Sequence, residues 1–200
     1  MGLEHSKAIR VEALHTEVKY LGTFVLKDFY RSLIEVLVDK GYIKRKFMRH
    51  MENFYMMKET SNPRENSSVW FWWRTSKKHE KSPFYKIQMD ITAHCRFLKE
   101  KELMWEGRKV RAYKGEIQIV IETDVIIDPK GEWAEHWFLK HIRDLYVHRI
   151  WARRKDMVKN QARNDTYFVQ RFLKQFLELK QFGAESEIFY KPFGYQVKGY

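Results

Sequence analysis

Asp90, His94, Glu122 and Asp124 are the residues whose types and spacing come nearest to catalytic or metal chemistry. All four occupy even positions in segments whose odd positions are apolar, so a sheet would set them on one face. In the right register, His94 beside a carboxylate would make a general base or half a metal site. Charged cross-strand pairing accounts for the same residues without chemistry and is the reading preferred here. Trp70 and Trp72 belong to that even face as well. Indoles on an open sheet beside basic residues can stack unpaired bases. The neighbouring Asp90, Glu116, Glu122 and Asp124 would repel phosphates, however, and a covering layer or a partner subunit explains the pair equally. The sequence holds no phosphate-binding GxxxxGKS or GxGxxG loop, no HExxH and no GxSxG. No catalytic residue, metal ligand or cofactor is therefore assigned.

The rival site is basic. Between Leu139 and Arg163 stand eight Lys or Arg and two Asp, half of the chain's net charge of +12 in an eighth of its 200 residues. On a helix, Lys140, Arg143, Arg154 and Lys155 share roughly one side, with His148 and Trp151 between them. Arg153, Arg154, Lys155 and Lys159 would also be favoured by the dipole at a helix C-terminus, which is a structural reason for the same charges. As a surface, the set Lys140, Arg143, His148, Trp151, Arg153, Arg154, Lys155 and Lys159 fits a polyanion.

These groups need a sheet and helices to position them. Val69, Phe71 and Trp73, then Tyr85 to Phe97 at odd positions, then Ile117 to Ile127, alternate with polar residues and predict a meander with one buried face. Glu106 and Gly107 between Trp105 and Arg108 predict a two-residue hairpin turn, with the return strand from about Val110. Gly115 is a candidate bulge. Upstream, Ile9 to Val25 predicts two short strand runs, and Phe29, Tyr30, Leu33, Ile34, Leu37 and Val38 predict a helix over Lys27 to Lys40, stopped by Gly41. Tyr42 to Lys58 reads as a strand of imperfect alternation. Downstream, the stripe from Trp133 through His141 to Ile150 predicts one helix from Glu132 to about Lys159, with His141 in the core. Asn164 or Asp165 would cap a second helix that ends at Gly183.

The 44% hydrophobic content suits one domain with a sizeable, aromatic core, since 16% of residues are Phe, Trp or Tyr. Cys95 is the single cysteine, which excludes an intrachain disulfide and a cysteine-based zinc cluster. With no apolar core of a signal peptide in Met1 to Arg10 and no spanning apolar stretch, a cytoplasmic or otherwise intracellular location is expected.

The expectation is an α+β domain over residues 1–183: an antiparallel sheet of about six strands, with one helix from the N-terminal half and two C-terminal helices on one face. An aromatic-rich tail, 184–200, would dock on its own domain or make a homo-oligomer or larger complex. The preferred function is a non-catalytic binding or assembly protein whose basic helical surface contacts nucleic acid. One alternative is a binder of small apolar ligands, with a cavity between sheet and long helix lined by Met51, Met57 and Met89. The other is an enzyme using the polar sheet face.

Overall fold

The computed structural model describes residues 8–50, 52–58, 67–78, 84–105, 108–150 and 152–186. Five antiparallel strands form one sheet: β1 (Ile9–Phe24), β2 (Glu52–Lys58), β3 (Ser67–Lys78), β4 (Tyr85–Trp105) and β5 (Arg108–Ile127), in the order β1-β5-β4-β3-β2. Helix α1 (Leu26–Asp39) leads from β1 toward β2. After β5 come α2 (Glu132–Glu135), α3 (Leu139–Leu145), a π-helical segment Tyr146–Ile150 and the long α4 (Ala152–Ser186). The chain is α+β, with α4 packed on the sheet. No described helix is long and apolar enough to cross a membrane.

The meander forms because its odd residues have one place to go. Val69, Phe71, Trp73, Ile87, Met89, Ile91, Ala93, Cys95, Ile117, Ile119, Ile121 and Val125 are all essentially inaccessible to water. Each larger side chain among them contributes about 1.5 to 3 kcal/mol on leaving water. Two helices cover this face. α1 buries Phe29, Leu33 and Leu37, and α4 brings Phe176 edge-on to Phe29, with ring centroids 5.5 Å apart. Thr123 of β5 and Thr166 of α4 are 2.7 Å apart. Since the Thr166 hydroxyl donates to Ala162 O at 2.9 Å, Thr123 must be the donor between the two threonines.

α1 ends as its glycine predicts. Gly41 has φ 78°, Gly41 N–H donates to Val38 O at 2.9 Å and Tyr42 N–H to Leu37 O at 2.9 Å. That bond pair is a Schellman cap, and it turns Tyr42 inward.

Several expectations need correction. The sheet has five strands, not six: the region read as two runs forms one strand, Ile9–Phe24. Its irregularity is a bulge between Glu12 and Leu14 that exchanges the faces of the residues on either side. Tyr42 to Lys58 is not one strand; Tyr42 and Ile43 are buried, Arg45–His50 is a 3-10 turn, and only Glu52–Lys58 pairs with the sheet. Trp105 pairs with Arg108, so the return strand starts two residues before Val110; residues 106 and 107 lie outside the described set. The bulge expected at Gly115 sits on the facing strand, where Phe97 and Leu98 stand between the Arg96↔Glu116 and Lys99↔Lys114 pairs and Phe97 takes φ 54°.

The C-terminal helices also divide differently. The helix expected from Glu132 breaks at His136, whose ψ of 129° is extended and whose Nδ1 accepts from the backbone of Phe138 and Leu139, both at 3.3 Å. That imidazole is a helix cap. His141 is exposed rather than buried. No break occurs at Asn164, because Asp165 is an interior residue of α4 engaged in a distant contact; the helix continues through Gly183 to Ser186. The tail that was expected to mediate assembly lies outside the described residues beyond Ser186.

Candidate functional site

Two surfaces carry the candidate residues: the sheet face turned away from the helices, and the outer face of α4.

Strand register converts the even face into rows. Lys78, Lys86, Ile126 and Arg10 form the row nearest the start of β4. The next is Ser76, Gln88, Asp124 and Glu12, followed by Arg74, Asp90, Glu122 and His15. Beyond these come Trp72, Thr92, Val120 and Glu17, then Trp70, His94, Gln118 and Lys19. β2 extends the last two rows with Phe54 beside Trp72 and Met56 beside Trp70.

Asp90, Glu122 and Asp124 therefore come together, and His94 does not join them. It stands four residues from Asp90 along β4, about 13 Å at the usual strand rise. Opposite His94 the register places Gln118, an amide, rather than a carboxylate. Its imidazole stacks on Trp70 with centroids 4.3 Å apart and 23° between planes. Nε2 is buried and has no hydrogen-bond partner among the described residues. Burial, and after it the Arg96 guanidinium, hold this imidazole below its ordinary value, opposed by Glu116. His94 is thus placed as a stacking partner of Trp70, with no carboxylate of the cluster opposite it.

Each acid in the cluster has a cation or amide. Asp90 accepts from Arg74 Nε at 3.2 Å and from Gln88 Nε2 at 3.0 and 3.2 Å. Glu122 faces His15 Nδ1 at 3.4 Å and Asp124 faces Arg10 at 3.4 Å. Burial raises the Asp124 carboxyl above its ordinary value; Arg10 opposes this, while Asp90, Glu12 and Glu122 add to it. A polar cleft of about 380 Å³ opens here, lined by Arg10, Glu12, Leu14, His15, Glu122, Thr123 and Asp124. Arg10, Glu12 and His15 were not foreseen as neighbours of this cluster, because the β1 bulge shifts the alternation that would have revealed them. Among the described residues, no three His, Cys, Asp or Glu side chains are arranged to hold a metal ion. Trp72 carries its cation from its own strand: Arg74 lies over the indole at 4.7 Å.

The expected cavity-lining methionines do not gather. Met57 is on the outer strand, Met89 is buried in the core and Met51 is outside the described residues.

The basic candidates lie along the last helices. Lys140 and His148 are exposed on α3 and the π segment, and Arg153 and Arg154 are exposed on α4, with Lys155 and Lys159 half-buried behind them. Trp151 and the Arg143 side chain are outside the described residues. Because α4 is unbroken, its outer stripe runs on through Asn160, Gln161, Asn164 and Tyr167 to Arg171 and Lys174, all exposed. Arg153 to Lys174 covers about 32 Å of helix. Reading a break at Asn164 hid Arg171 and Lys174; their three-to-four spacing from Arg153 onward is the signal that would have found them.

The two surfaces differ in how their charges are used. On the strands Arg10, Lys19, Arg74, Arg96, Lys109 and Arg111 each meet a carboxylate. Among the described residues, Arg153, Arg154, Lys155, Lys159, Arg171 and Lys174 meet none within ion-pair distance. Asp165, which packs inward from α4, is taken by Lys77 at 3.7 Å and by the Tyr42 hydroxyl at 3.1 Å. No family model matches the chain, and no curated protein matches it in sequence.

Proposed function

We propose that this is a non-catalytic binding protein that engages nucleic acid through the outer face of α4. The observation that carries the reading is the run of α4 cations presented to solvent without carboxylate partners among the described residues, whereas the strand arginines Arg10, Arg74, Arg96 and Arg111 each meet a carboxylate. Phosphate contact would replace solvent and condensed counterions around those groups. Between and beyond the cations lie Asn160, Gln161, Asn164 and Tyr167, which can hydrogen-bond to sugar and phosphate oxygens. The sheet face is unsuited to the same role because its acids outnumber its free cations around Asp90, Glu122 and Asp124.

The test is titration of the full chain with generic duplex DNA and with single-stranded RNA over a range of salt. If several phosphates are contacted, the logarithm of duplex affinity falls with the logarithm of salt by about 0.9 per phosphate. No binding at low salt would refute the reading.

A further inference from the structure

The joined ends of β4 and β5 project beyond the rest of the sheet. β1 accompanies β5 only as far as the Phe24↔Tyr113 pair and β3 accompanies β4 only to Leu98, so from Lys101 and Ala112 outward the two strands pair with each other alone. The bulge at Phe97 and Leu98 sorts the charges of this arm. Residues opposite one another in an antiparallel ladder share a face. Past the bulge Lys99 opposes Lys114 and Lys101 opposes Ala112, while Glu100 opposes Tyr113 and Glu102 opposes Arg111. The even residues of β5 belong to the open face, so Lys99, Lys101 and Lys114 fall there and the two acids fall on the helix side. Without the extra residue the β4 charges would exchange faces. On the helix side the charges are paired, Arg111 with Glu100 at 2.7 Å and Lys109 with Glu102 at 3.3 Å. On the open face Lys99, Lys101 and Lys114 are exposed and, among the described residues, meet no carboxylate within ion-pair distance. Lysines directly opposite one another weaken a sheet, so this arrangement does not serve the fold.

Two large apolar residues adjoin these lysines. Leu21, which pairs with Glu116 on the open face, is 76% exposed. Phe97 is 63% exposed, outside the core that takes Leu98, and holds φ 54°, in a bulge position that ordinarily belongs to glycine. The backbone bears strain there for a ring that the fold does not bury.

We propose that this corner, Leu21 and Phe97 bordered by Lys99, Lys101 and Lys114, docks the protein on the surface of an anionic lipid bilayer. Headgroup phosphates and carboxylates would take the ammonium groups, and the acyl boundary beneath them would take the leucine and the phenyl ring. A nucleic acid offers the same phosphates but no apolar phase for Leu21. The acids of the open face do not cancel the attraction. Glu17 and Glu116, the nearer ones, are met by Lys19 at 3.2 Å and Arg96 at 3.9 Å. Asp90 lies about 27 Å from Lys99 along β4 at the usual strand rise, about three screening lengths at physiological salt. α4 packs on the other side of the sheet, so this contact is separate from the one proposed for nucleic acid and does not rest on it.

The test is flotation of the full chain with vesicles of phosphatidylcholine alone and of phosphatidylcholine with phosphatidylserine. Binding is expected to the mixed vesicles only, and it should weaken with added salt. Each lysine near an anionic surface strengthens binding by about fivefold, so Lys99→Ala, Lys101→Ala, Lys114→Ala combined should lose about a hundredfold. Phe97→Asn removes the ring and supplies a residue that accepts the left-handed backbone. It should melt no lower than wild type and yet bind the mixed vesicles about tenfold more weakly. Arg153→Ala, Arg154→Ala, Lys155→Ala combined should float as wild type does. No flotation with the mixed vesicles, equal flotation with phosphatidylcholine alone, undiminished binding by the folded arm variant, or a loss confined to the α4 variant would each overturn the proposal. An arm variant that loses duplex DNA and keeps the vesicles would assign the corner to nucleic acid and overturn it likewise.

Discussion

The Tyr42 hydroxyl donates to Asp165 Oδ2 at 3.1 Å, joining the residue just past the α1 cap to the middle of α4. Lys77 completes the group at 3.7 Å from the same oxygen. This contact decides which face of α4 turns outward, because Asp165 and Thr166 must both point at the sheet while Arg153, Asn164 and Arg171 then point away.

Tyr42→Phe is expected to lower stability by about 1.5 to 3 kcal/mol, the usual worth of a hydrogen bond to a charged group. Burial, and then the Asp165 carboxylate, raise the Tyr42 hydroxyl well above its ordinary value. A hydroxyl that stays protonated in the fold while ionising in the unfolded chain gives stability that is fully present below about pH 10 and lost as pH rises beyond it. Urea unfolding of both proteins should therefore differ most at neutral pH and converge in alkali. A gap that holds constant with pH would contradict this.

The opposite sign applies at His94. Its folded value is lowered by burial and Arg96, so its contribution is present above the ordinary value of about 6.5 and is lost as pH falls below it. His94→Gln should flatten the decline in thermal midpoint below that pH, and an unchanged decline would show that the imidazole is solvated in the fold.

Gly22 and Gly115 are partners across β1 and β5, yet they should respond differently to alanine. A Cβ on Gly115 would lie 2.7 Å from Arg96 O and 3.0 Å from Phe97 O, backbone atoms of the β4 bulge. Overpacking there should cost about 1 to 3 kcal/mol. At Gly22 the atoms met belong to the far end of the Tyr20 ring, which is only partly buried and can swing. Chemical denaturation of Gly115→Ala and Gly22→Ala checks the difference, and equal losses would contradict it.

The sheet core was legible because Val69 to Ile127 repeats its alternation over strands long enough to leave one solution, and Gly41 was legible because its cap needs a positive φ. Register was not: nothing local says that Gln118 faces His94, so Asp90, Glu122 and Asp124 could be grouped from sequence while His94 could not be separated from them. The bulges at Ala13 and at Phe97 and Leu98 carry ordinary residues, so no residue type announces the change of parity that each one causes. Asp165 misled for a physical reason. An aspartate that caps a helix and one that reaches from a helix interior to a tyrosine 123 residues away look the same in sequence. That reading shortened α4 and hid Arg171 and Lys174.

The central claim is that the outer face of α4 holds phosphates, and it is tested most directly by comparing salt dependence in wild type and in Arg153→Ala, Arg154→Ala, Lys155→Ala combined. The three side chains are exposed or half-buried, so the fold should be retained, as a matching circular dichroism spectrum and melting midpoint would verify. Loss of about three phosphate contacts should make the slope of log affinity against log salt shallower by about 2.7 on duplex DNA. The same affinity and slope in the triple variant would contradict the account.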